Sequence, residues 1–374
     1  MLKRIRLLTT ILVFVLLTAT WTACNGDTTE DTDGSNGNDN DSNVDNSEAA
    51  ISVGVVYDVT GKGDQSFNDA AAAGIERAEN ELNIEYTELT PNKDGSDRAE
   101  LLQLAADSHD LVVAVGFLYE PFVVDAATEN QDVQFGVVDT PMLDFESDPS
   151  GQPYGDNISG LVFTEHEGSF LVGAAAALKS QTGTIGFIGG VANAGGLIEK
   201  FQAGYEAGAL AVDPEITIFA NYITEAPDST GWQAPDRAQE IALSMYENGA
   251  DIIYHAAGGS GLGLFAAAKK HSETVGSKVW AIGVDSDQYH TVDPEVQDYV
   301  LTSMLKRVDV AIFELVKSTI EDNTEPGAIT YDLAVEGVDY STSGGFIDDI
   351  VEQLESLKAQ IVAGDIDVPT VPNS

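Results

Sequence analysis

From Ile51 onward the chain alternates two kinds of apolar pattern. Short, nearly continuous runs rich in β-branched residues occur at ISVGVVYD, DLVVAVG, VQFGVVD, TIGFIGG, TIFANY, ADIIYHAA and KVWAIGVD. Strands of a parallel sheet covered on both faces read this way. Between them lie segments with helical spacing at 70–82, 98–108, 167–179, 197–212, 235–248 and 263–271, with a further one at 307–318. This rhythm predicts a doubly wound α/β architecture in two lobes. One lobe is expected mainly from 51–160 and the other mainly from 161–285, with 286–374 crossing back to complete both and ending in a tail.

The stretch DQSFNDAAAAGIERAENEL sets an aromatic, Phe67, among polar residues at the mouth of a helix. Ala71, Ile75, Ala78 and Leu82 recur at helical spacing and face a core. Ser66 with Asp69 reads as a helix start, the serine oxygen accepting from free backbone N–H groups. Phe67 falls on the apolar stripe, so it is either a core residue or an exposed aromatic plate beside a cleft. In open α/β sheets ligands sit outside the carboxyl ends of the strands. Asp58, Asp139 and Asp285 each end a strand there, and AAGGSG, with Gly258, Gly259 and Gly261, follows another. Lys306 is expected to begin a helix after VLTSML. Any one of these carboxylates is equally well a helix cap. Three at one level of a sheet, with a lysine and aromatics, point to a cleft for a small hydroxylated ligand.

Length and charge bound the setting. A chain of 374 residues exceeds what one hydrophobic core usually serves. Its 17 Lys+Arg stand against 62 Asp+Glu, a net charge of −45. Nucleic acid is excluded as a partner, because phosphate binding needs a positive footprint. Such a surface favours a soluble monomer and suits a salt-rich habitat.

At the N-terminus, Lys3, Arg4 and Arg6 precede LLTTILVFVLL and then WTAC, which ends in the single cysteine, Cys24. A basic region, a short apolar run and small residues mark residues 1–23 as an export signal. One cysteine forms no internal disulfide. Cys24 resembles the lipidated cysteine of a bacterial lipobox, although Trp21 replaces the usual aliphatic residue; the alternative is an ordinary signal with a chance cysteine. Residues 24–50 are rich in Asn, Asp, Ser and Gly, carry acids and no base, and read as a disordered tether.

An enzyme reading exists. GLGLFA fits G-x-G-x-x-A directly after a strand, and Asp285 ends the next strand, as in the dinucleotide site of an NAD-dependent oxidoreductase. Against it, the export signal places the chain where such cofactors are scarce, and no His or Tyr has a catalytic neighbourhood. The five histidines lack metal-ligand spacing, so no metal or other cofactor is expected. GGSGL fails the G-x-S-x-G elbow.

The segments DVTGKGDQSFNDAAAAG, EGSFLVGAAAALKSQTGTIGFIGG, FQAGYEAGA, ENGADIIYHAAGGSGLG, VWAIGVDSDQ and LTSMLKRVDVAI resemble the basic membrane protein family of ABC-transporter substrate-binding lipoproteins. The best-known members of that family are purine nucleoside receptors. The resemblance implies a two-lobed periplasmic binding protein of the sugar-binding type, with a three-segment hinge and no catalysis. It implies a lipid-anchored protein on the extracytoplasmic face of the cell membrane that passes a small ligand, a purine nucleoside foremost, to a permease and ATPase complex. Residue by residue, Phe67 would stack on one face of the base with Asn68 beside it. Trp232 in GWQAPD would cover the other face, where the family usually has Phe. Asp139 would read the base edge, and Asp58, Gly258, Asp285 and Lys306 would hold the ribose. Stacking of this kind contributes roughly 1–3 kcal/mol per base.

Overall fold

The computed structural model describes residues 49–373. The expected signal, Cys24 and nearly all of the tether lie outside the described residues. The first half runs β1 (Ser52–Val56), α1 (Phe67–Leu82), β2 (Glu85–Leu89), α2 (Arg98–Ala106), β3 (Leu111–Ala114), α3 (Glu120–Glu129) and β4 (Gln134–Val138). A small hairpin, β5 (Leu143–Asp144) and β6 (Gln152–Pro153), precedes β7 (Ile158–Phe163). Then come α4 (Glu165–Lys179), β8 (Thr184–Ala192), α5 (Leu197–Val212), β9 (Thr217–Glu225), α6 (Pro235–Glu247), β10 (Ile252–Ala256), α7 (Leu262–Val275) and β11 (Trp280–Asp285). Two one-turn helices, α8 (Gln288–Thr291) and α9 (Pro294–Gln297), lead to β12 (Val300–Lys306) and α10 (Val308–Ile320). The described chain closes with β13 (Gly327–Tyr331), β14 (Val338–Tyr340) and α11 (Val351–Val362).

These strands form two six-stranded sheets, ordered β13-β7-β4-β3-β1-β2 and β14-β12-β11-β10-β8-β9. The first is wholly parallel; the second is parallel except for the antiparallel pair β12–β14. Each lobe thus repeats one winding, the second strand outside the first and the later strands on the other side. The central strands are apolar because helices cover both faces: Val53, Val55, Val56 and the whole of β3 are fully buried. Burying each such side chain contributes about 1.5–3 kcal/mol.

The chain passes between the lobes three times. It leaves the first sheet after β7 and enters α4, which packs on α5 and β12. It returns after β12 into α10, which packs on α1. It crosses last between β13 and β14. Hydrogen bonds tie these crossings together: Thr164 N–H to the Tyr331 carbonyl, Leu333 N–H to the Glu167 carboxylate, and Arg307 N–H to the Gly337 carbonyl. Close packing of α4 on α5 depends on glycine. A Cβ on Gly204 or Gly208 would overlap the His166 or Phe170 carbonyl.

Three local expectations change. Lys306 is the last residue of β12, not the first of a helix; α10 starts at Val308. Helix α1 starts at Phe67, three residues before the apolar spacing becomes regular, and the ring is half-buried rather than exposed. Ser66 does occupy the N-cap position, but its side chain makes no capping bond.

Candidate functional site

Both sheets point their strand carboxyl ends at one cleft. In each, the winding reverses beside the first strand, at β1/β3 and at β8/β10, where open α/β sheets form a crevice. The cleft encloses about 580 Å³ of empty space, its open mouth included. The first lobe contributes Asp58 and Thr60 after β1, Asp64, Phe67 and Asn68 around the start of α1, Gly116 and Phe117 after β3, and Asp139 after β4. The second lobe contributes Leu197, Ile198 and Phe201 from α5, Trp232, then Ala256 to Gly258 after β10, Val284 and Asp285 at the end of β11, and Lys306 at the end of β12. All eight positions singled out for the cleft from the sequence therefore meet in it.

The start of α1 is built by carboxylates. Asp64 accepts from the backbone N–H groups of Ser66, Asn68 and Asp69. These are donors that a helix start leaves unpaired, so Asp64 performs the capping expected of Ser66. Asp69 folds back to accept from the N–H groups of Gly63 and Gln65. Asn68 clamps the preceding loop. Its amide donates to Thr60 Oγ1 at 2.6 Å and to Asp64 Oδ2 at 2.9 Å, while its carbonyl oxygen accepts from Asp58 N–H at 3.0 Å. Both Asn68 side-chain donors are thus engaged with the loop, which leaves Phe67 held at the cleft wall by a rigid collar. Across the cleft, the Trp232 ring packs against Gly190 of β8, where a Cβ would overlap it.

Charge in the cleft is unevenly matched. Lys306, 2% exposed, lies 2.6 Å from Asp139 Oδ1 and 3.3 Å from Glu165 Oε1. Its ammonium is also within 5.1–5.6 Å of the ring centres of Phe67, Phe163 and Phe201. Burial works against the Lys306 charge, but Asp139, Glu165 and Asp285 outweigh it and raise its pKa. The direct partners of Lys306 are thus Asp139 and Glu165, because β12 ends beside the crossing into α4. Asp58 is held by buried Arg98, whose guanidinium lies 3.6 Å away. Asp285 accepts from the Ser66 hydroxyl at 2.5 Å. Burial pushes Asp285 up to about 7, against the pull of Lys306 and this hydroxyl. Burial likewise raises Asp58, Asp64 and Asp139. A lining with four aspartates and one ammonium suits a neutral ligand rich in N–H and O–H donors, and repels anions.

Several residues here escaped the sequence reading. Gly116 and Phe117 follow β3 and were open to the same rule that found Asp58 and Asp139. Leu197, Ile198 and Phe201 project from α5, and no motif distinguishes them from core. Glu165 and Arg98 matter only through partners distant in sequence.

The glycines and the aspartate of the dinucleotide reading are engaged within the fold. A Cβ on Gly261 would overlap the His255 imidazole, and one on Gly263 the Pro235 carbonyl. Both glycines serve tight packing within the lobe. The Asp285 carboxylate is bonded to Ser66 of the opposite lobe.

Residues 51–371 match the family described as ABC transporter substrate-binding protein PnrA-like. A CD4+ T-cell-stimulating antigen of Listeria innocua is 33% identical over 352 residues, covering 91% of this chain and 94% of the relative. The ABC transporter nucleoside-binding protein BmpA of Lactococcus lactis subsp. cremoris is 30% identical over 333 residues, covering 86% and 89%. Among solved structures, an ABC transporter solute-binding protein of Aeropyrum pernix superposes with a TM-score of 0.71 at 25% identity, covering 86% of this chain and 94% of that one. With the two sheets, the three crossings and the shared cleft, these likenesses establish that the chain belongs to the PnrA-like family of ABC transporter substrate-binding proteins.

Proposed function

We propose that the cleft captures one purine nucleoside and that the protein, lipid-anchored through Cys24 outside the cytoplasm, delivers it to a permease and ATPase complex. The observation that carries this reading is the pairing of aromatic walls with carboxylates at one strand level. Phe67 and Trp232 line the cleft from opposite lobes, and Asp58, Asp139, Asp285, Lys306 and Gly258 line the same cleft. A purine offers two apolar faces to aromatic rings. Its ribose offers hydroxyl donors to carboxylates, bonds that gain from the acceptor's charge. The excess of negative charge disfavours nucleotides, whose phosphates carry the same sign. The name of the Lactococcus relative, a nucleoside-binding protein, supports the same class.

Calorimetry with inosine, guanosine, adenosine, ribose and adenosine monophosphate tests this. One nucleoside should bind per chain, with ribose and the monophosphate far weaker. Binding of sugars with none of nucleosides would overturn the ligand class.

A further inference from the structure

Ser66 stands where a helix cap belongs, yet its hydroxyl caps nothing. Because Asp64 takes the free N–H groups at the start of α1, Ser66 Oγ is released for another task. It donates across the cleft to Asp285 Oδ2 at 2.5 Å and lies 3.3 Å from the Val284 carbonyl. Ser66 is fully buried and Asp285 is 7% exposed. Further bonds run beside this one. Gln288 Nε2 and Thr291 Oγ1 both donate to the Gln65 carbonyl, at 2.9 and 3.2 Å, and Ser286 Oγ donates to the Ser66 carbonyl at 3.1 Å. Gln288 is itself fixed: its Oε1 accepts from Val284 N–H and lies 2.9 Å from His255 Nε2. Gln65 adopts φ +56°, a left-handed geometry uncommon outside glycine. One short run of the second lobe thus grips two residues of the first, at the point where a cleft carboxylate sits.

We propose that Ser66 is a positioning residue that ties the Asp285 carboxylate to the opposite lobe, so that lobe closure and ligand capture act through one group. Asp285 belongs to β11 and travels with the second lobe, whereas Ser66 travels with the first. Parting the lobes hands the Asp285 oxygen back to water; bringing them together replaces that water with Ser66 Oγ and fixes the carboxylate for a ligand donor. Each event favours the other, which is the condition for a ligand to shift an open–closed equilibrium. The inference rests on the cleft being the ligand site, and not on which ligand fills it.

A capping role and a latching role differ in what Ser66→Ala does. In the whole protein, the latch predicts a larger radius of gyration by small-angle scattering and about tenfold faster release of inosine in stopped flow. Tenfold is the loss expected for a hydrogen bond to an ionised group. The ligand-free unfolding midpoint should stay near wild type, since opening rehydrates Asp285, whereas Asp64→Ala should lower it. Ser286→Ala, which spares both the cap and Asp285, should shift scattering and release the same way by less, and it carries the test if Ser66→Ala fails to fold. A lowered midpoint for Ser66→Ala with unchanged scattering and unchanged release would overturn the latch. If inosine binds to none of the proteins, the nucleoside reading falls separately, and scattering alone decides: an unchanged radius of gyration in both serine variants overturns the latch.

Discussion

Lys306 Nζ lies 2.6 Å from Asp139 Oδ1, joining the last residue of β12 to the residue that follows β4, and so one sheet to the other. Glu165 adds a second buried carboxylate, 1% exposed, at 3.3 Å. Breaking a buried pair by removing one partner leaves an uncompensated charge and costs about 3–5 kcal/mol. Lys306→Met should therefore lower the unfolding midpoint sharply at neutral pH. Acid should restore part of the loss, because the stranded carboxylates can then take up protons. A variant that melts like wild type at neutral pH would mean that the pair is not formed in solution.

Asp285 gives the second prediction its sign. Its folded value, about 7, lies above the ordinary carboxylate value of 3.8, so between those limits the folded protein holds a proton that the unfolded chain has lost. Its contribution to stability is complete below that ordinary value and is lost as pH rises through 7. The ligand-free unfolding midpoint should accordingly fall between pH 6.5 and pH 8, above the range in which buried His255, lowered to about 4, contributes a slope of the opposite sign. Asp285→Asn should flatten that slope. Burial also raises Asp58, Asp64 and Asp139, so any slope they add has the same sign. Nucleoside affinity should run the other way and tighten with pH, because ribose hydroxyls need the ionised acceptor. Equal stability slopes in wild type and Asp285→Asn would show that Asp285 ionises normally.

Six of the seven strands read in the sequence are buried; the seventh, β9, read at TIFANY, is a half-open edge strand, and the buried β7, ISGLVF, was not read. β1, β3, β4, β8, β10 and β11 appear as continuous apolar runs because helices cover them. β2, EYTEL, is an edge strand largely open to solvent and gives no such signal. β12 was missed because Thr302 and Ser303 interrupt it. Both are buried, with Thr302 Oγ1 donating to the Ser341 carbonyl and Ser303 Oγ accepting from Gln288 N–H. Those partners come from the turn after β14 and from α8, and no local pattern contains them. Asp58, Asp139, Gly258 and Asp285 were legible for a topological reason, because they stand at strand ends, whereas Asn68 and Trp232 came only from the family resemblance. The pairings in the cleft were not legible, since Lys306 with Glu165, Asp58 with Arg98 and Ser66 with Asp285 join residues set far apart along the chain.

Phe67 packs against the core and also lines the cleft, so its two roles separate only by measurement. As a stacking plate, Phe67→Ala should weaken adenosine, guanosine and inosine by a similar factor, about 1–3 kcal/mol each, because every base has a π-face. The ligand-free unfolding midpoint should move little, since the ring is half-buried. A sharp drop in that midpoint with affinities intact would make Phe67 a core residue.

The last prediction concerns salt. With 62 acids against 17 bases, the net charge is −45, so most carboxylates have no base of their own. Like charges on a compact body repel, and folding brings them closer than they lie in the unfolded chain. Exposed pairs such as Arg77–Glu81 offset little of this, because surface ion pairs are worth about 0–1 kcal/mol. Raising salt shortens the screening length from about 10 Å at 0.1 M to about 3 Å at 1 M. The unfolding midpoint should therefore rise with sodium chloride over that range, and equally with potassium chloride if screening is the cause. Sulfate is avoided, since it also strengthens apolar burial. The Lys306–Asp139–Glu165 group, being buried, is screened much less, so Lys306→Met should show the same salt slope displaced to lower temperature. A midpoint that falls with added salt would mean that surface pairs, and not repulsion among carboxylates, dominate the electrostatics of this fold.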